Sequence, residues 1–513
     1  MYQRRPHRPG LTAVILAILV GLLGLPAWTS AQSPARGGTL TIAEGTDALT
    51  LDPHNYKAAT DIIVSNLIYD TLVRFDLNLN LRPGLAVGWL ELSPTSWRFD
   101  LRQGVKFSDG TPFDARAVKM SLERAAASPR GAGYAGVVDR VDIVTPARVI
   151  VHLKRPFAPF LKNLAAPIVA IISPSALQPG APDINTHPVG TGPFMLSEWV
   201  PNQRLQIVRN PNYWGRAAYL DAVVFRPIAE DSTRFLAFRG GQVDVISNPP
   251  ANLAAQIRAN PNLSLDTSPS TRDVRVAFTV TNPPFNNVKV RQAVAMAIDR
   301  GPIIKFVLNG LGREAKCGLI PPEIMATSPC ADLPLDVAKA KQLLAEAGFA
   351  NGLTTQFWTP EGRYLGDRQI AEAVQQQLQQ INVRANIKVM EWGAYLDALA
   401  RHEAQMFIIG WGWITGDPAQ ALRQNFQTKS AFNYWNYSDP AFDRMLDQAE
   451  ALDSPTKRRD MYNQMSSILL VRDAVSKEIY YTLNIYGLSK RVHAFHGTPV
   501  ELIDLSDTWM APK

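Results

Sequence analysis

Two tryptophans in the segment from Met406 to Pro418, which reads MFIIGWGWITGDP, are the first residues suited to binding a ligand. Met406 to Ile409 is a short apolar run typical of a fully buried strand. It leads into a glycine-rich loop that carries Trp411 and Trp413, and then into a turn at Gly416-Asp417-Pro418. Indole rings after a buried strand can fill a core or line a ligand cleft, and taken alone these residues favour the core.

The elements around this segment determine where its loop emerges. From Phe278 onward strand-like and helix-like segments alternate, which predicts a β-α-β-α-β unit with parallel strands and right-handed crossovers. The predicted elements are, in order, Leu353 to Trp358, Arg368 to Ile381, Val383 to Val389, Ala394 to Arg401 and the strand that begins at Met406. In open α/β sheets, ligands bind beyond the carboxyl ends of the strands.

Loops that follow parallel strands meet at one edge of the sheet. The residues that these loops bring to the same edge are Trp358, Arg363, Tyr364, Trp392, Trp411 and Trp413. This convergence of aromatic rings and one cation shifts the interpretation of Trp411 and Trp413 from the core toward a ligand cleft.

No catalytic or metal-binding motif is recognisable in the sequence. His402-Glu403 lacks the second histidine of a zinc-protease helix, because Met406 stands at that position. His493 and His496 have no third ligand nearby and are predicted to be solvent-exposed. No Gly-x-Ser-x-Gly elbow or phosphate-binding Gly-Lys-Ser/Thr loop occurs. No catalytic residue, metal or cofactor is predicted, although a secreted hydrolase built from scattered residues stays open as an alternative.

The N-terminus indicates an exported protein. Residues 1–31 have the pattern of a signal peptide, with a basic start, an apolar run from Leu11 to Leu25, and small residues before a cleavage site placed after Ala31. The apolar run is short for a membrane anchor, and no cysteine lies near the site to accept a lipid. A soluble periplasmic protein without a lipid anchor is therefore expected.

Length and charge limit the class of protein further. The chain has 513 residues, 46% of them hydrophobic and 19% charged, which predicts an ordinary globular protein of two or three domains. Cleavage of the signal peptide would remove three arginines and lower the formal net charge from +7 to +4. The remaining basic residues are scattered, with the longest run at Lys457-Arg458-Arg459, so a nucleic-acid partner is not expected.

The two cysteines, Cys317 and Cys330, lie in one stretch that is rich in proline and glycine. In an exported protein, an oxidising compartment favours a structural disulfide between them. Two free thiols are the alternative.

A set of motifs resembles the extracellular solute-binding proteins of ABC importers, in the dipeptide, oligopeptide and nickel class known as family 5. The resemblance covers nearly all of the chain after the predicted signal peptide. The motifs that carry it are Leu51-Asp52-Pro53-His54, Leu85 to Val118, Val189 to Phe194, Asn210 to Trp214, Val290 to Ala293, Ala297 to Arg300 and Ala345 to Gly348. The implied fold class is α/β, of the type II periplasmic-binding-protein kind, with two lobes that close on a ligand by a hinge and one extra domain.

The resemblance also implies domain boundaries and partners. Domain I, a discontinuous lobe, is expected at 36–66, 189–273 and 484–513; domain II, an inserted accessory domain, at 67–188; and domain III, the second lobe, at 274–483. The implied function is that of a periplasmic substrate-binding component, which captures a small polar solute between the lobes and delivers it to an ABC permease in the inner membrane. A monomer is expected.

The resemblance further implies a change in how the ligand is held. In dipeptide-binding members, an Asp three places before the Asp-Pro pair holds the α-ammonium of the peptide, and here that place is Ile414. The Arg that takes the peptide carboxylate aligns with Glu361, two residues from Arg363. Because a buried ammonium without a partner is costly, a dipeptide held in the usual way is disfavoured.

Arg363 and Asp417 are therefore the candidate polar anchors among the aromatic faces. A guanidinium can make paired hydrogen bonds to a carboxylate or phosphate, while a surface salt bridge of Arg363 with Glu361 or Asp367 is the alternative. A γ-linked or otherwise modified peptide, an opine or a glycosylated compound would suit such a site. A nickel or metal-chelate ligand is the second alternative.

Overall fold

The computed structural model describes residues 1–2, 34–325 and 329–512. Most of the predicted signal peptide, from residue 3 to residue 31, lies outside the described residues. Among the described residues there is no helix with the length and apolar character that a membrane span requires.

Strands and helices alternate along the described chain. In chain order the strands are β1 Thr39–Glu44, β2 Val73–Phe75, β3 Leu81–Pro83, β4 Ala86–Ser93, β5 Ser96–Leu101, β6 Val138–Thr145, β7 Arg148–Leu153, β8 Phe194–Val200, β9 Arg204–Arg209, β10 Ala222–Pro227, β11 Val245–Ser247, β12 Leu263–Phe278, β13 Arg313–Glu314, β14 Leu353–Pro360, β15 Val383–Met390, β16 Met406–Gly412, β17 Ser476–Ser489, β18 Val492–His493, β19 His496–Gly497, β20 Ile503–Asp504 and β21 Trp509–Met510. The α-helices are Ala59–Ile68, Ala115–Ala127, Ala132–Ala135, Phe160–Asn163, Asp231–Arg239, Ala254–Ala259, Val288–Met296, Arg300–Pro302, Val337–Glu346, Asp367–Leu378, Trp392–Ala400, Pro418–Phe426, Pro440–Ala451 and Pro455–Ser467.

Within the described residues, one 11-stranded sheet runs through both predicted lobes, in the order β15-β14-β16-β12-β17-β11-β1-β10-β9-β8, with β13 paired to β17. In the part that belongs to predicted domain I, β1 is parallel to both β10 and β11. In the part that belongs to predicted domain III, β14 is parallel to β15 and β16. We refer below to predicted domains I and III as lobe I and lobe III, and to 67–188 as domain II.

Two long antiparallel strands, β12 and β17, connect the two parts of the sheet. Their pairing shifts register between Pro269 and Asp273, and the predicted boundary at 273/274 follows this shift directly. The second predicted boundary, at 483/484, falls inside β17. A break in pairing on a pair of crossing strands is a place where the backbone can absorb a rotation between lobes.

The β-α-β-α-β unit is present in lobe III, where its strands and crossover helices fall close to the predicted positions. β14, the helix Asp367–Leu378 and β15 are followed by the helix Trp392–Ala400 and β16. The stripe on the first helix is buried as its 3.6-residue spacing requires, with Ile370, Val374 and Leu378 at 0% exposure. The loops after β14, β15 and β16 consequently emerge on the side that faces lobe I.

Domain II is built on a four-stranded antiparallel sheet in the order β4-β5-β7-β6. The amphipathic helix Ala115–Ala127 packs its buried face against this sheet, and Asp114 caps the helix by accepting from the backbone N–H of Arg116 at 2.8 Å. Arg124 of this helix donates to Asp52 of lobe I at 2.6 Å. This contact fastens domain II to lobe I.

Cys317 and Cys330 form a disulfide that closes a loop in lobe III, with their Cα atoms 4.4 Å apart. The loop packs against β17 through Tyr481, whose hydroxyl donates to the carbonyl of Gly318 at 2.7 Å. The bond therefore has a structural setting, away from the cavity described next.

Candidate functional site

A cavity of about 110 Å³ lies between the two lobes. Tyr56 and Lys57 from lobe I, Arg130 and Tyr134 from domain II, and the loops of lobe III all contribute to its wall. We call it the aromatic cavity, because six of its lining residues are Tyr56, Tyr134, Tyr364, Trp392, Trp411 and Tyr434, joined by Phe432. Its position matches the edge at which the sequence predicts the loops of lobe III to meet.

The strand ends of lobe III place three aromatic residues on this wall. Tyr364 follows β14 and Trp392 follows β15, while Trp411 is the second-last residue of β16. The Tyr364 hydroxyl accepts from the N–H of Gly410 at 2.8 Å, which ties the first loop to the third. A side chain at Gly410 would lie 2.6 Å from the carbonyl of Asp273, so only glycine permits this close packing.

Arg363 lies in the cavity wall with its charge unpaired. Its Cζ atom lies 4.9 Å from the ring centre of Tyr364 and 5.4 Å from that of Trp392, within the range of a cation–π contact. Asp367 accepts from the backbone N–H of Arg363 at 3.0 Å rather than from its guanidinium. Within the described part of the chain, the guanidinium makes no ion pair, so the alternative of a surface salt bridge is not seen.

Two further donors in the same wall lack partners. Nη1 of Arg130, whose guanidinium lies 4.2 Å from the ring centre of Phe432, is buried without a hydrogen-bond partner among the described residues. The indole Nε1 of Trp411 is in the same situation. Buried donors without partners are rare in folded proteins and often mark the position of a missing ligand or water.

The charge of the cavity wall is positive. Its charged residues among those described are Lys57, Arg130, Arg272 and Arg363, and no Asp or Glu joins them. The charge of Arg272 is balanced by an ion pair with Glu501, to which its Nε donates at 2.6 Å. Burial, and then the charge of Arg272, lower the pKa of Arg363 from its ordinary value, which is the effect expected of crowded and desolvated cations.

Ile414 also lines the aromatic cavity and is only 7% exposed. It packs with the apolar core of domain II rather than with that of lobe III. The position that the sequence resemblance aligns with an ammonium-binding Asp therefore presents a hydrocarbon surface.

The structure does not bring the other three predicted residues to the cavity wall, and we leave them out of the site. Trp358 packs in the lobe III core under the ammonium group of Lys388, 4.1 Å from its ring centre. Trp413 is fully buried and donates through Nε1 to Asp273 at 2.8 Å. Asp417 caps the helix Pro418–Phe426 and forms an ion pair with Arg458 at 2.7 Å.

Sequence reasoning missed two polar residues, Arg130 and Glu44. Arg130 lies in a loop of domain II, and no periodic pattern there indicates its direction. Glu44 is the last residue of β1 and lines a second cavity, of about 80 Å³, that borders the first at Arg363. The strand-end rule applied to lobe III would have found Glu44 as well, since β1 is parallel to both of its neighbours.

The described residues contain no cluster of three or more His, Cys, Asp or Glu side chains placed to hold a metal ion. The site is composed of aromatic rings, cations and unpaired N–H groups. Such a wall can bind and orient an anion and exclude water from it.

Comparison with known proteins assigns the family. Residues 80–433 match the family described as bacterial extracellular solute-binding proteins, family 5 Middle. The chain belongs to this family. The predicted α/β class with two lobes and an extra domain is confirmed by solved members of the family.

Three proteins similar to this family 5 chain are described with their ligands. The glutathione-binding protein GsiB of Salmonella paratyphi A is 31% identical over 473 residues, which cover 90% of this chain and 92% of that protein. DppA from Helicobacter pylori, solved with the peptide STSA, is 28% identical with a TM-score of 0.86 and covers 93% of this chain and 99% of its own. AgaA from A. tumefaciens R10, solved with agropinic acid, is 25% identical with a TM-score of 0.83 over 93% of this chain and 99% of its own.

The predicted function class is confirmed by these matches. The protein is a substrate-binding component of an ABC import system. The family and the relatives are binding proteins rather than enzymes, and family members bind small molecules and work with ABC permease subunits.

Proposed function

We propose that this protein captures a small anionic, peptide-like solute in the aromatic cavity and delivers it to an ABC permease. The observation that carries the proposal is the charge of the wall, which contains four basic residues and, among the described residues, no acidic one. Glutathione, a γ-linked peptide with two carboxylates and one ammonium group at neutral pH, is the candidate that the curated relatives favour.

The unpaired donors supply the chemistry for such a ligand. A carboxylate at Arg363 would gain charge-assisted hydrogen bonds that no described residue of the protein now provides. A second anionic group could reach Nη1 of Arg130 in domain II and Nε1 of Trp411. The aromatic faces between these points exclude water, which strengthens each electrostatic contact.

Ligand contacts from both sides would also drive closure. Arg130 moves with lobe I if domain II is fastened to it as Arg124 and Asp52 indicate, whereas Arg363 belongs to lobe III. A ligand that binds both arginines is held fully only when the lobes are closed. We further propose that the protein acts as a monomer in the periplasm, after export through a cleavable signal peptide.

Titration calorimetry of the mature protein with reduced glutathione tests the proposal. Removing a charge-assisted hydrogen bond costs ~1.5–3 kcal/mol, so Arg363→Gln and Arg130→Gln should each weaken binding about 10- to 100-fold. Arg368→Gln and Arg140→Gln are the matched controls, because both arginines are more than half exposed and pair only with surface carboxylates.

Two outcomes contradict the proposal. If the parent protein binds no anionic peptide or opine detectably, the proposed ligand class is wrong. If the parent, Arg363→Gln and Arg130→Gln bind the ligand with equal affinity, the aromatic cavity is not the binding site. A thermal-shift series with the same ligands gives an independent measure, since a ligand at 100 times its dissociation constant adds ~2.7 kcal/mol of stability.

A further inference from the structure

The second cavity, which we call the side pocket, adjoins the aromatic cavity at Arg363 and Ala59. It encloses about 80 Å³, and its wall combines Glu44, Ser247 and Arg234 of lobe I with Gly362 and Arg363 of lobe III. Arg363 is shared by both cavities, so a ligand bound to this arginine can extend in either direction.

Glu44 is a buried carboxylate without a cationic partner. It is 8% exposed, accepts a hydrogen bond from the Ser247 hydroxyl, and makes no ion pair with any described residue. Burial raises its pKa, and Ser247, Arg234 and Arg363 oppose this effect only in part. A carboxylate in this state is stabilised by any cation that enters the pocket.

Arg234, the other arginine in the wall of the side pocket, is largely engaged by other acceptors. Arg234 is 2% exposed and donates from Nη1 to the carbonyl of Ile228 at 2.7 Å and from Nη2 to Asp231 at 2.5 Å. Its two terminal nitrogens are therefore held by other acceptors, while its buried Nε has no hydrogen-bond partner among the described residues. Glu501, the second carboxylate of the wall, is paired with Arg272, so Glu44 and Arg363 are the carboxylate and the guanidinium of this pocket that make no ion pair with a described residue.

The two lobes approach closely at this pocket, which only small residues allow. A Cβ atom at Gly45 would lie 3.0 Å from the carbonyl oxygen of Gly362. Gly362 itself has φ +73°, a left-handed conformation that suits glycine. Closure therefore brings Glu44 from lobe I and Arg363 from lobe III to the wall of one small cavity.

We infer that the side pocket binds the α-amino-acid end of the ligand, with its ammonium group at Glu44 and its α-carboxylate at Arg363. The inference rests on the proposed function, because it assigns the two ends of the same molecule. An α-amino-acid head presents a cation and an anion on one carbon atom, which matches an anion and a cation that line one cavity.

This placement selects the linkage of the peptide. In an α-linked dipeptide the ammonium and the carboxylate lie at opposite ends, so both cannot enter the side pocket. In a γ-glutamyl peptide both groups stay free on the same carbon, and the rest of the chain can extend past Trp392 and Trp411 toward Arg130. Glu44 in the side pocket thus provides the ammonium partner that Ile414 cannot provide.

Calorimetry with two probes tests the inference on the mature protein. The probes are reduced glutathione and glutaryl-cysteinylglycine, which is the same molecule without the ammonium group. The parent should bind glutathione at least about tenfold more tightly than the ammonium-free probe. Glu44→Gln should bind both probes with similar affinity, and its unchanged affinity for glutaryl-cysteinylglycine shows that the variant is folded.

Glu361→Gln is the matched control, because this exposed carboxylate lies two residues from Arg363 but lines neither cavity. It should keep the preference of the parent for glutathione. Equal binding of the two probes by the parent would overturn the ammonium site while leaving the proposed function intact, as would a preference that survives in Glu44→Gln. Binding of neither probe would overturn the side-pocket assignment and remove glutathione as the ligand, and the proposed function would fall with them if the anionic peptides and opines also fail to bind.

Discussion

Ile414 is the residue at which this protein departs most clearly from a dipeptide binder. Its side chain is buried against the core of domain II and faces a cavity whose charged residues, among those described, are all basic. An α-ammonium placed there would meet hydrocarbon and nearby cations, which is unfavourable on both counts. On the proposed function, Ile414 therefore disfavours a ligand that needs an ammonium partner at this position.

Ile414→Asp should therefore shift the ligand preference of the protein from glutathione toward α-linked dipeptides. A carboxylate at this position provides an ammonium partner and reduces the positive charge of the wall, so an α-linked dipeptide such as Ala-Ala should bind about tenfold more tightly than in the parent. Glutathione should bind more weakly for the same reason. Calorimetry with both peptides measures the two changes.

Ile414→Asn is the control for this substitution, because it introduces a polar group of the same size without charge. Both variants should lower the unfolding midpoint, since each places a polar side chain in an apolar core. An equal effect of Asn and Asp on the two peptides would show that shape, rather than charge, sets the preference.

At the scale of single elements, local patterns predicted the framework of lobe III well. The strand predicted from Leu353 to Trp358 is observed as Leu353–Pro360, and the helix predicted from Arg368 to Ile381 as Asp367–Leu378 with a 3₁₀ turn to Ile381. These elements are set by hydrophobic spacing, which the sequence displays directly. The edge at which their loops meet follows from the parallel order of the strands.

Side-chain directions at the strand ends could not be predicted in the same way. Trp411 and Trp413 are two residues apart, yet β16 ends at Gly412, and the backbone then turns Trp413 into the core beside Asp273. Trp358 lies in the second half of β14, where four successive residues are buried, so alternation does not distinguish the two sides of the strand there. Arg130 reaches the cavity only through the packing of an inserted domain, which leaves no local signal.

One inter-lobe contact between elements lies away from the ligand. Arg155, in the loop after β7 of domain II, donates to Glu450 of the helix Pro440–Ala451 at 2.5 Å, and the N–H of Ala158 donates to the Glu450 carbonyl at 2.8 Å. Arg423 of lobe III also binds the Glu450 carboxylate, at 2.7 Å. Removing Arg155 therefore leaves the buried carboxylate paired within its own lobe.

Arg155→Gln should weaken ligand binding without unfolding the protein. The ion pair stabilises only the closed arrangement, and its partly exposed guanidinium limits its value to ~1 kcal/mol, which predicts a loss of affinity of about fivefold. Arg148→Gln, which breaks a pair with Asp100 inside domain II, is the control and should leave affinity unchanged. Unaltered glutathione affinity in Arg155→Gln would mean that the ion pair between Arg155 and Glu450 does not favour the closed arrangement of the lobes over the open one.

For the molecule as a whole, binding and closure are one equilibrium. The ligand groups proposed here are met by residues of lobe I, domain II and lobe III together, and the lobes are joined by β12 and β17, whose pairing breaks between Pro269 and Asp273. The apparent affinity is proportional to the fraction of the protein that can adopt the closed, binding-competent state. A change that opposes closure therefore lowers the apparent affinity even when every ligand contact is intact.

Gly45→Val tests this coupling at the point where the lobes touch. Because Gly45 also lines the side pocket, the scattering measurement below, rather than affinity alone, separates reduced closure from a blocked pocket. The added side chain would meet the carbonyl oxygen of Gly362 in the opposite lobe at 3.0 Å from its Cβ atom, whereas the nearest atom in its own lobe, Nη1 of Arg234, lies at an ordinary 3.5 Å. The strain is therefore relieved by rotation of the lobes rather than by local unfolding. Affinity for glutathione should fall about tenfold or more while the unfolding midpoint of the ligand-free protein stays the same.

Gly88→Val is the matched control, because a Cβ atom at this position in β4 would meet nothing within 4 Å. In small-angle scattering, saturating glutathione should decrease the radius of gyration of the parent and of Gly88→Val, and should decrease it less in Gly45→Val. If Gly45→Val binds and contracts like the parent, ligand binding does not require the closed contact between Gly45 and Gly362.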